Sequence, residues 1–147
     1  MRRSLLLLFS GLLLGALSNG TEPWTDNDLI QPAQAAKDLK TPLIIHVGFP
    51  VLYRSTHITG SVYAGPGSKT EGIDDLKKAV AGQPRMREII LYCGCCPWDK
   101  CPNIRPAFAA LHQMGFTNVK AMVLPANLKT DWIDKGYPTD KHADADK

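Results

Sequence analysis

The stretch from Ile89 to Gly115 reads IILYCGCCPWDKCPNIRPAFAALHQMG, and it has the clearest structural pattern of the chain. It begins with four consecutive apolar residues, 89–92, whose β-branched and aromatic side chains predict a buried strand. Further on, apolar residues recur at a spacing of three or four and predict a helix that ends at Gly115 as its C′ residue. Those apolar residues are Ile104, Phe108, Leu111 and Met114. Every cysteine of the chain lies in the loop between strand and helix: Cys93, Cys95, Cys96 and Cys101.

The order of strand, loop and helix predicts the surroundings of Cys93. This residue follows the strand directly and should face the start of the next helix, which is where open α/β sheets bind ligands. Backbone N–H groups and the positive end of the helix dipole favour an anion at that place. We therefore expect a thiolate or a persulfide at Cys93 to be stabilised, which predicts sulfur chemistry.

Residues 1–20 have the pattern of a signal peptide. Arg2 and Arg3 supply the positive charge, residues 5–17 form an apolar run, and Ala16-Leu17-Ser18 is a small-x-small cleavage site. The apolar run is shorter than the roughly 20 residues that cross a bilayer. We therefore expect an exported protein, periplasmic or secreted, with no stable membrane anchor.

Composition limits the size of the domain and the kind of partner. The chain has 147 residues, which fits one domain behind the leader. Its formal net charge is +3, and two of the positive charges, Arg2 and Arg3, leave with the leader. No nucleic-acid partner is expected from such a balance. An exported thiol meets an oxidising compartment, so a redox protein that recycles it is an expected partner.

Strand patterns alternate with helix patterns along the rest of the chain. Strands are predicted at 43–47, 61–64, 89–92 and 119–124, and helices at 32–39, 71–81, 104–114 and 128–135. Such alternation predicts an α/β protein in which helices cover both faces of a parallel sheet. The predicted organisation is a lead-in with a short helix at 21–37, the main domain at 38–140 and a flexible tail at 141–147. The connection at 48–60 is predicted to be a loop, and His46 is interpreted as a core residue.

Five local patterns occur in a fixed order along the chain. They are LIIHV at 43–47, Tyr53-x-x-x-His57-Ile58-Thr59-Gly60-Ser61-Val62, Ile90-Leu91-Tyr92-Cys93, Leu111-x-x-x-Gly115-Phe116-x-Asn118-Val119 and Trp132-x-x-x-Gly136-Tyr137-Pro138. Together they resemble the rhodanese-like domain, a sulfurtransferase fold, over roughly residues 38–140. The resemblance implies a parallel sheet of about five strands with helices on both faces. The chain departs from the family at His46 and Gly48, where acidic and basic residues are usual.

The resemblance also implies a chemistry for the cysteine loop. In the family, a cysteine thiolate attacks a sulfane sulfur donor, becomes a persulfide and passes the outer sulfur to a nucleophile. Cys93 stands in the matching place and is the predicted catalytic residue, with no cofactor. Arg105 and Lys100 are predicted to bind a small sulfur-containing anion, and Trp98 to form a wall of the pocket. A thiol is the expected acceptor.

The three further cysteines admit three interpretations. Cys96 can resolve a persulfide on Cys93 by forming a disulfide with it. Alternatively, Cys96 and Cys101 form a structural disulfide that leaves Cys93 free. In the third interpretation all four thiolates, including that of Cys95, bind zinc, copper(I) or an iron–sulfur cluster. Two functions stay open: a sulfurtransferase or thiol redox protein that works through Cys93, and a non-catalytic rhodanese-like module whose loop binds a metal or a partner protein.

Overall fold

The computed structural model describes residues 22–141, and within them the chain forms short strands that alternate with helices. The strands are β1 (Leu29–Ile30), β2 (Leu43–His46), β3 (His57–Ile58), β4 (Val62–Tyr63), β5 (Ile89–Tyr92), β6 (Val119–Met122) and β7 (Thr139–Asp140). The α-helices are α1 (Pro32–Ala35), α2 (Pro50–Ser55), α3 (Thr70–Ala79) and α4 (Ile104–Gln113). A π-helical turn at Lys129–Ile133 and two 3-10 turns, Asp26–Asp28 and Trp98–Lys100, complete these elements.

The main sheet contains five parallel strands in the order β1-β6-β5-β2-β4. Its centre is β5, which pairs with β2 through Ile89 opposite Leu43 and with β6 through Ile89 opposite Val119. A separate antiparallel pair joins β3 to β7, with Ile58 opposite Thr139. The prediction of an α/β fold with a parallel sheet of about five strands is confirmed.

Two apolar clusters cover the two faces of the sheet. One contains Leu91 of β5 with Leu76 of α3 and Phe108 of α4. The other contains Tyr92 of β5 with Ala35 of α1 and Trp132 of the π-helical turn. Each large side chain buried in this way contributes about 1.5–3 kcal/mol. Because helices bury both faces of β5, the predicted layering is confirmed.

The structure differs from the sequence-based prediction where elements are short. The connection at 48–60, predicted as a loop, contains α2 and β3. Pro50 begins α2 at a position where its missing N–H has no intrahelical partner. The edge strand β1 pairs with β6 and lies within the predicted lead-in, so the sheet begins before residue 38. Two residues are too few to show a periodicity of hydrophobic side chains.

The predicted ends of the two C-terminal helical segments are confirmed by glycine geometry. Gly115 and Gly136 have φ values of +87° and +75°, the left-handed conformation typical of C′ residues. Asn127 caps the π-helical turn as predicted, because its Oδ1 accepts the N–H of Thr130 over 2.9 Å. Asn103 precedes α4 as predicted, but its side chain makes no capping bond.

The predicted signal peptide at 1–20 and residues 142–147 of the predicted tail lie outside the described residues. Between residues 22 and 141, none of the helices has both the length and the apolar character that a membrane span requires.

Candidate functional site

Cys93 follows β5 directly, and the chain turns sharply after it. Gly94 makes the turn with a φ of +78°, and a Cβ atom there would lie 2.6 Å from the Cβ of Leu128. The turn returns the loop over the end of the strand, so three sulfur atoms converge. The Sγ atoms of Cys93, Cys95 and Cys101 all lie within 4.8 Å of one another. Cys93 and Cys101 are buried, whereas Cys95 is exposed.

Asn103 fixes the sulfur of Cys93. Its Nδ2 donates a hydrogen bond to Cys93 Sγ over 3.4 Å, and its Oδ1 accepts the N–H of Ser68 over 3.1 Å. The side chain is fully buried, so these partners replace the water that its amide loses. The sequence suggested only a helix cap at this position, because the contact to Cys93 depends on how the loop folds back.

Cys93 and Cys101 titrate as a pair in which the thiolate is favoured on Cys101. The pKa of Cys101 is lowered to about 6, first by a hydrogen bond with Cys93 and then by the backbone N–H groups of Asn103 and Ile104. The pKa of Cys93 is raised, first by its hydrogen bond with Cys101 and then by burial. The two thiols thus share one proton, and Cys101 holds the position at the start of α4 that the sequence assigned to Cys93.

Cys96 takes a smaller part in the cluster. Its pKa is raised to about 12, first by burial and then by a hydrogen bond with Cys95. The Sγ of Cys95 lies 3.2 Å from that of Cys96 and 3.2 Å from that of Cys93. The neighbour best placed to react with Cys93 on the exposed side is therefore Cys95, not Cys96 as the C-x-x-C spacing suggested. All four cysteines are free thiols in the structure, and the Cys96–Cys101 disulfide stays a prediction.

A cavity of about 510 Å³ opens in front of Cys93. Its walls come from α2, the cysteine loop and the π-helical turn: Leu52, Ser55, Thr56, Cys93, Gly94, Cys95, Asn127, Leu128, Lys129 and Ile133. Cys93 and Cys95 are therefore the two cysteines that face a ligand in this space. Cys101 lies behind Cys93, fully buried.

None of the residues predicted to bind substrate lines this cavity. The Nε of Arg105 donates to Glu22 Oε2 over 2.8 Å, and its guanidinium lies 5.4 Å from the ring centre of Trp24. Trp98 packs against the same Trp24 ring at a centroid distance of 5.4 Å, and Lys100 is exposed. The lead-in segment thus holds Arg105 and Trp98 in place on the outer side of the cysteine loop.

Lys129 is the cation that the structure does place in the cavity wall, and no local sequence pattern pointed to it. Its Nζ lies 2.7 Å from Asp134 Oδ1 and 2.9 Å from Oδ2, and its side chain is largely exposed. Asp134 is thus the ion-pair partner of this lysine at the rim of the cavity.

The floor of the site accounts for the glycine at position 48. A Cβ atom on Gly48 would lie 2.9 Å from Cys93 Sγ and 2.8 Å from Cε1 of His46, so the sulfur occupies the space that a larger residue would fill. His46 is fully buried, and its Nδ1 accepts the N–H of Gly48 over 3.3 Å. Burial lowers the pKa of His46 to about 4, so the ring is neutral near pH 7. The interpretation of His46 as a core residue agrees with this placement.

Solved structures with the same fold are found, although no protein-family model and no curated protein matches the chain. A rhodanese-like domain from Anabaena sp. is 18% identical with a TM-score of 0.58, covering 82% of this chain and 83% of that one. A rhodanese-related protein from Thermoplasma volcanium is 19% identical with a TM-score of 0.54, covering 76% and 96%. The BH2092 protein from Bacillus halodurans is 18% identical with a TM-score of 0.61, covering 79% and 78%.

The chain therefore has the rhodanese-like fold, as its five ordered sequence patterns predicted. At these identities the likeness establishes the fold alone. The activity has to be argued from the cysteine cluster and the cavity.

Proposed function

We propose that the protein transfers sulfane sulfur, which it carries as a persulfide on Cys93. One observation supports this more than any other: Cys93 is the thiol that both lines the cavity and has its Sγ within 4.8 Å of that of Cys101, whose pKa is lowered. A nucleophile with an adjacent base is the arrangement that activates a weak nucleophile. Cys101 is the base in this arrangement, and Cys93 is the nucleophile that a donor can reach.

The first half of the reaction forms the persulfide. As the sulfur of Cys93 attacks the outer sulfur of the donor, its proton passes to the Cys101 thiolate. The sulfur–sulfur bond of the donor breaks, and its electron pair leaves with the rest of the donor, which is sulfite when the donor is thiosulfate. The backbone N–H groups that stabilise the Cys101 thiolate set the proton affinity of the base.

The second half returns the enzyme to its starting state. An acceptor thiolate attacks the outer sulfur of the persulfide, and Cys93 leaves with the electron pair of the sulfur–sulfur bond. Asn103 donates its hydrogen bond to the sulfur that gains this charge, so it is a positioning residue for the leaving group. Cys101 then returns the proton to Cys93.

Cys95 supplies a thiol redox branch of the same chemistry. Its thiolate can attack the inner sulfur of the Cys93 persulfide, which forms a Cys93–Cys95 disulfide and releases hydrosulfide. A dithiol protein must then reduce this disulfide and is itself oxidised.

We propose export as the setting of this chemistry, with a mature chain that begins between Asn19 and Thr21. N-terminal sequencing of the extracytoplasmic protein tests this start site.

A second candidate function is metal binding, and the convergence of three Sγ atoms within 4.8 Å favours it. Zinc–sulfur bonds of about 2.3 Å place the sulfur atoms of a tetrahedral site roughly 3.8 Å apart, and thiolates also suit copper(I). Cys96, beside Cys95, is the fourth thiol of the loop. In this reading the protein is a non-catalytic rhodanese-like module.

The experiment that tests the proposed function compares Cys93→Ser with Cys96→Ser. Each protein is reduced, incubated with a sulfane donor, freed of excess donor and assayed for labile sulfur by cyanolysis, with bound metal measured on the same sample. We expect one labile sulfur per chain in the wild type and in Cys96→Ser, and none in Cys93→Ser. Labile sulfur in Cys93→Ser contradicts the proposal. Stoichiometric metal without transferable sulfur supports the binding module instead.

A further inference from the structure

The cavity in front of Cys93 has walls that suit an apolar group. Leu52 comes from α2, and Leu128 and Ile133 come from either end of the π-helical turn. Leu52 and Ile133 are each 36% exposed, so their side chains are accessible at the rim. A volume of about 510 Å³ falls in the range of roughly 300–1,000 Å³ that organic ligands fill. A small inorganic anion needs only part of that space.

Charges that would recognise an anion are already paired. Lys129, which lines the cavity, forms an ion pair with Asp134. Arg105 is held by Glu22 and by the backbone carbonyl of Asp99, outside the cavity wall. Recognition of a small oxyanion ordinarily uses a guanidinium fork with free donors, and no arginine stands among the residues that line the space.

Two polar groups of the wall are also used locally. Asn127 Oδ1 accepts the N–H of Thr130, and Thr56 Oγ1 donates to the carbonyl of Ser55. What the wall offers a ligand is therefore mainly apolar surface beside a reactive sulfur.

We propose that this cavity selects sulfur donors and acceptors that carry an apolar organic group, so that the substrate is an organic persulfide or thiol and not an inorganic anion. This inference rests on the proposed function, because it takes Cys93 as the sulfur carrier. Burial of the apolar group against Leu52, Leu128 and Ile133 supplies the binding energy. The group also holds the sulfane sulfur beside Cys93.

A matched series of donors tests the selection: benzenethiosulfonate, methanethiosulfonate and thiosulfate. In the first two, the Cys93 sulfur attacks the terminal sulfur, the bond between the two sulfur atoms breaks, and a sulfinate leaves with the electron pair. Their reacting atoms and charge are the same, so the comparison varies the organic group. The change in the ratio of their rates between variants cancels the intrinsic difference between the two sulfinate leaving groups. Leu52→Asp introduces a charge into the cavity wall. Val51→Asp is the matched control, because Val51 is 62% exposed on the same helix and does not line the cavity.

We expect kcat/KM to be about tenfold or more higher for the aromatic donor than for the methyl donor, because burial of even one methylene contributes roughly tenfold. Thiosulfate should react most slowly. Leu52→Asp should lower the ratio of aromatic to methyl kcat/KM about tenfold, and Val51→Asp should leave the ratio as it is. Thiosulfate reacting as fast as the aromatic donor, or equal ratios in the two variants, overturns the inference while sulfur transfer stands. No transfer from any of the three donors overturns the proposed function and this inference with it.

Discussion

The side-chain amide of Asn103 links the start of α4 to the sulfur of Cys93 through a 3.4 Å hydrogen bond, and it links both to the segment before α3 through the N–H of Ser68. One buried side chain thus sets the position of the sulfur relative to two helices. The site is therefore held by the packing of the fold and not by the cysteine loop alone. The contribution of the Asn103 hydrogen bond can be tested with a side chain of the same shape that cannot donate it.

Asn103→Asp replaces the donor by a carboxylate of the same shape next to the cysteine pair. We expect slower alkylation of Cys93, with the pH profile shifted to higher pH, because a negative charge disfavours a thiolate nearby. The free energy of unfolding should fall by about 1–3 kcal/mol, since a buried hydrogen bond is lost. Asn27→Asp, on the exposed surface, is the control. A variant with normal stability and an unshifted profile would show that Asn103 does not position the sulfur.

The pKa of Cys101 predicts a pH dependence of reactivity. Because that pKa is lowered from 9.0 to about 6, a thiolate should be detectable by its ultraviolet absorbance with a midpoint near pH 6 in the reduced protein. The rate of persulfide formation should rise through the same range, since Cys101 accepts the proton of Cys93. Cys101→Ser should abolish both. Thiolate absorbance that appears only near pH 9.0, the ordinary pKa of a cysteine, would contradict the assignment of a lowered pKa to Cys101.

The free energy of unfolding should also depend on the ionisation of Cys101. The folded state holds the Cys101 proton less tightly than the unfolded state, in which the pKa of this thiol is 9.0. The stabilisation from Cys101 is therefore present above pH 9.0 and is lost as the pH falls through about 6. Above pH 9.0 the raised pKa of Cys93 acts in the opposite direction, because the unfolded state ionises that thiol first. Denaturant unfolding of the wild type and of Cys101→Ser across this range measures it. Identical pH dependences in the two proteins would argue against a buried thiolate.

Gly48→Ala places a methyl group against the reacting sulfur. The new Cβ would lie 2.9 Å from Cys93 Sγ, so the sulfur or the backbone must move, at a cost of about 1–3 kcal/mol in stability. Sulfur transfer should fall sharply. Gly82→Ala is the control, because its φ of +73° brings backbone strain of about 1 kcal/mol but no contact near the site. Full activity in Gly48→Ala would mean that Cys93 is not held as described.

The sequence predicts that Arg105 binds the substrate, whereas the structure places it in an ion pair with Glu22. If Arg105 bound the anionic donor, Arg105→Ala would raise KM. Because the structure instead pairs it with Glu22, we expect unchanged KM and a stability loss of about 1 kcal/mol or less, as is usual for a partly exposed ion pair. Glu22→Ala should give a similar loss, and the double variant should lose less than the sum. A raised KM in Arg105→Ala alone would restore the predicted role.

The sequence predicted the centre of the fold well, because the strand before Cys93 and α4 both have strong apolar patterns. It missed α2 and the edge strand Leu29–Ile30, since elements this short have no usable period. The site was predicted in part. The cysteines themselves are visible in the sequence, but the charge on Cys101 depends on the loop folding back over β5. The capture of Arg105 by Glu22 joins residues 83 positions apart, which no local pattern reveals.

Mass mapping of the donor-treated protein shows whether Cys93 carries the sulfur. The reduced wild-type protein is treated with a sulfane donor, its thiols are blocked, and its peptides are analysed for one added sulfur atom. We expect the added sulfur on Cys93, from which a reductant should remove it, and no added sulfur on the other three cysteines at the first turnover. Added sulfur on Cys95, Cys96 or Cys101 with Cys93 unmodified would contradict it.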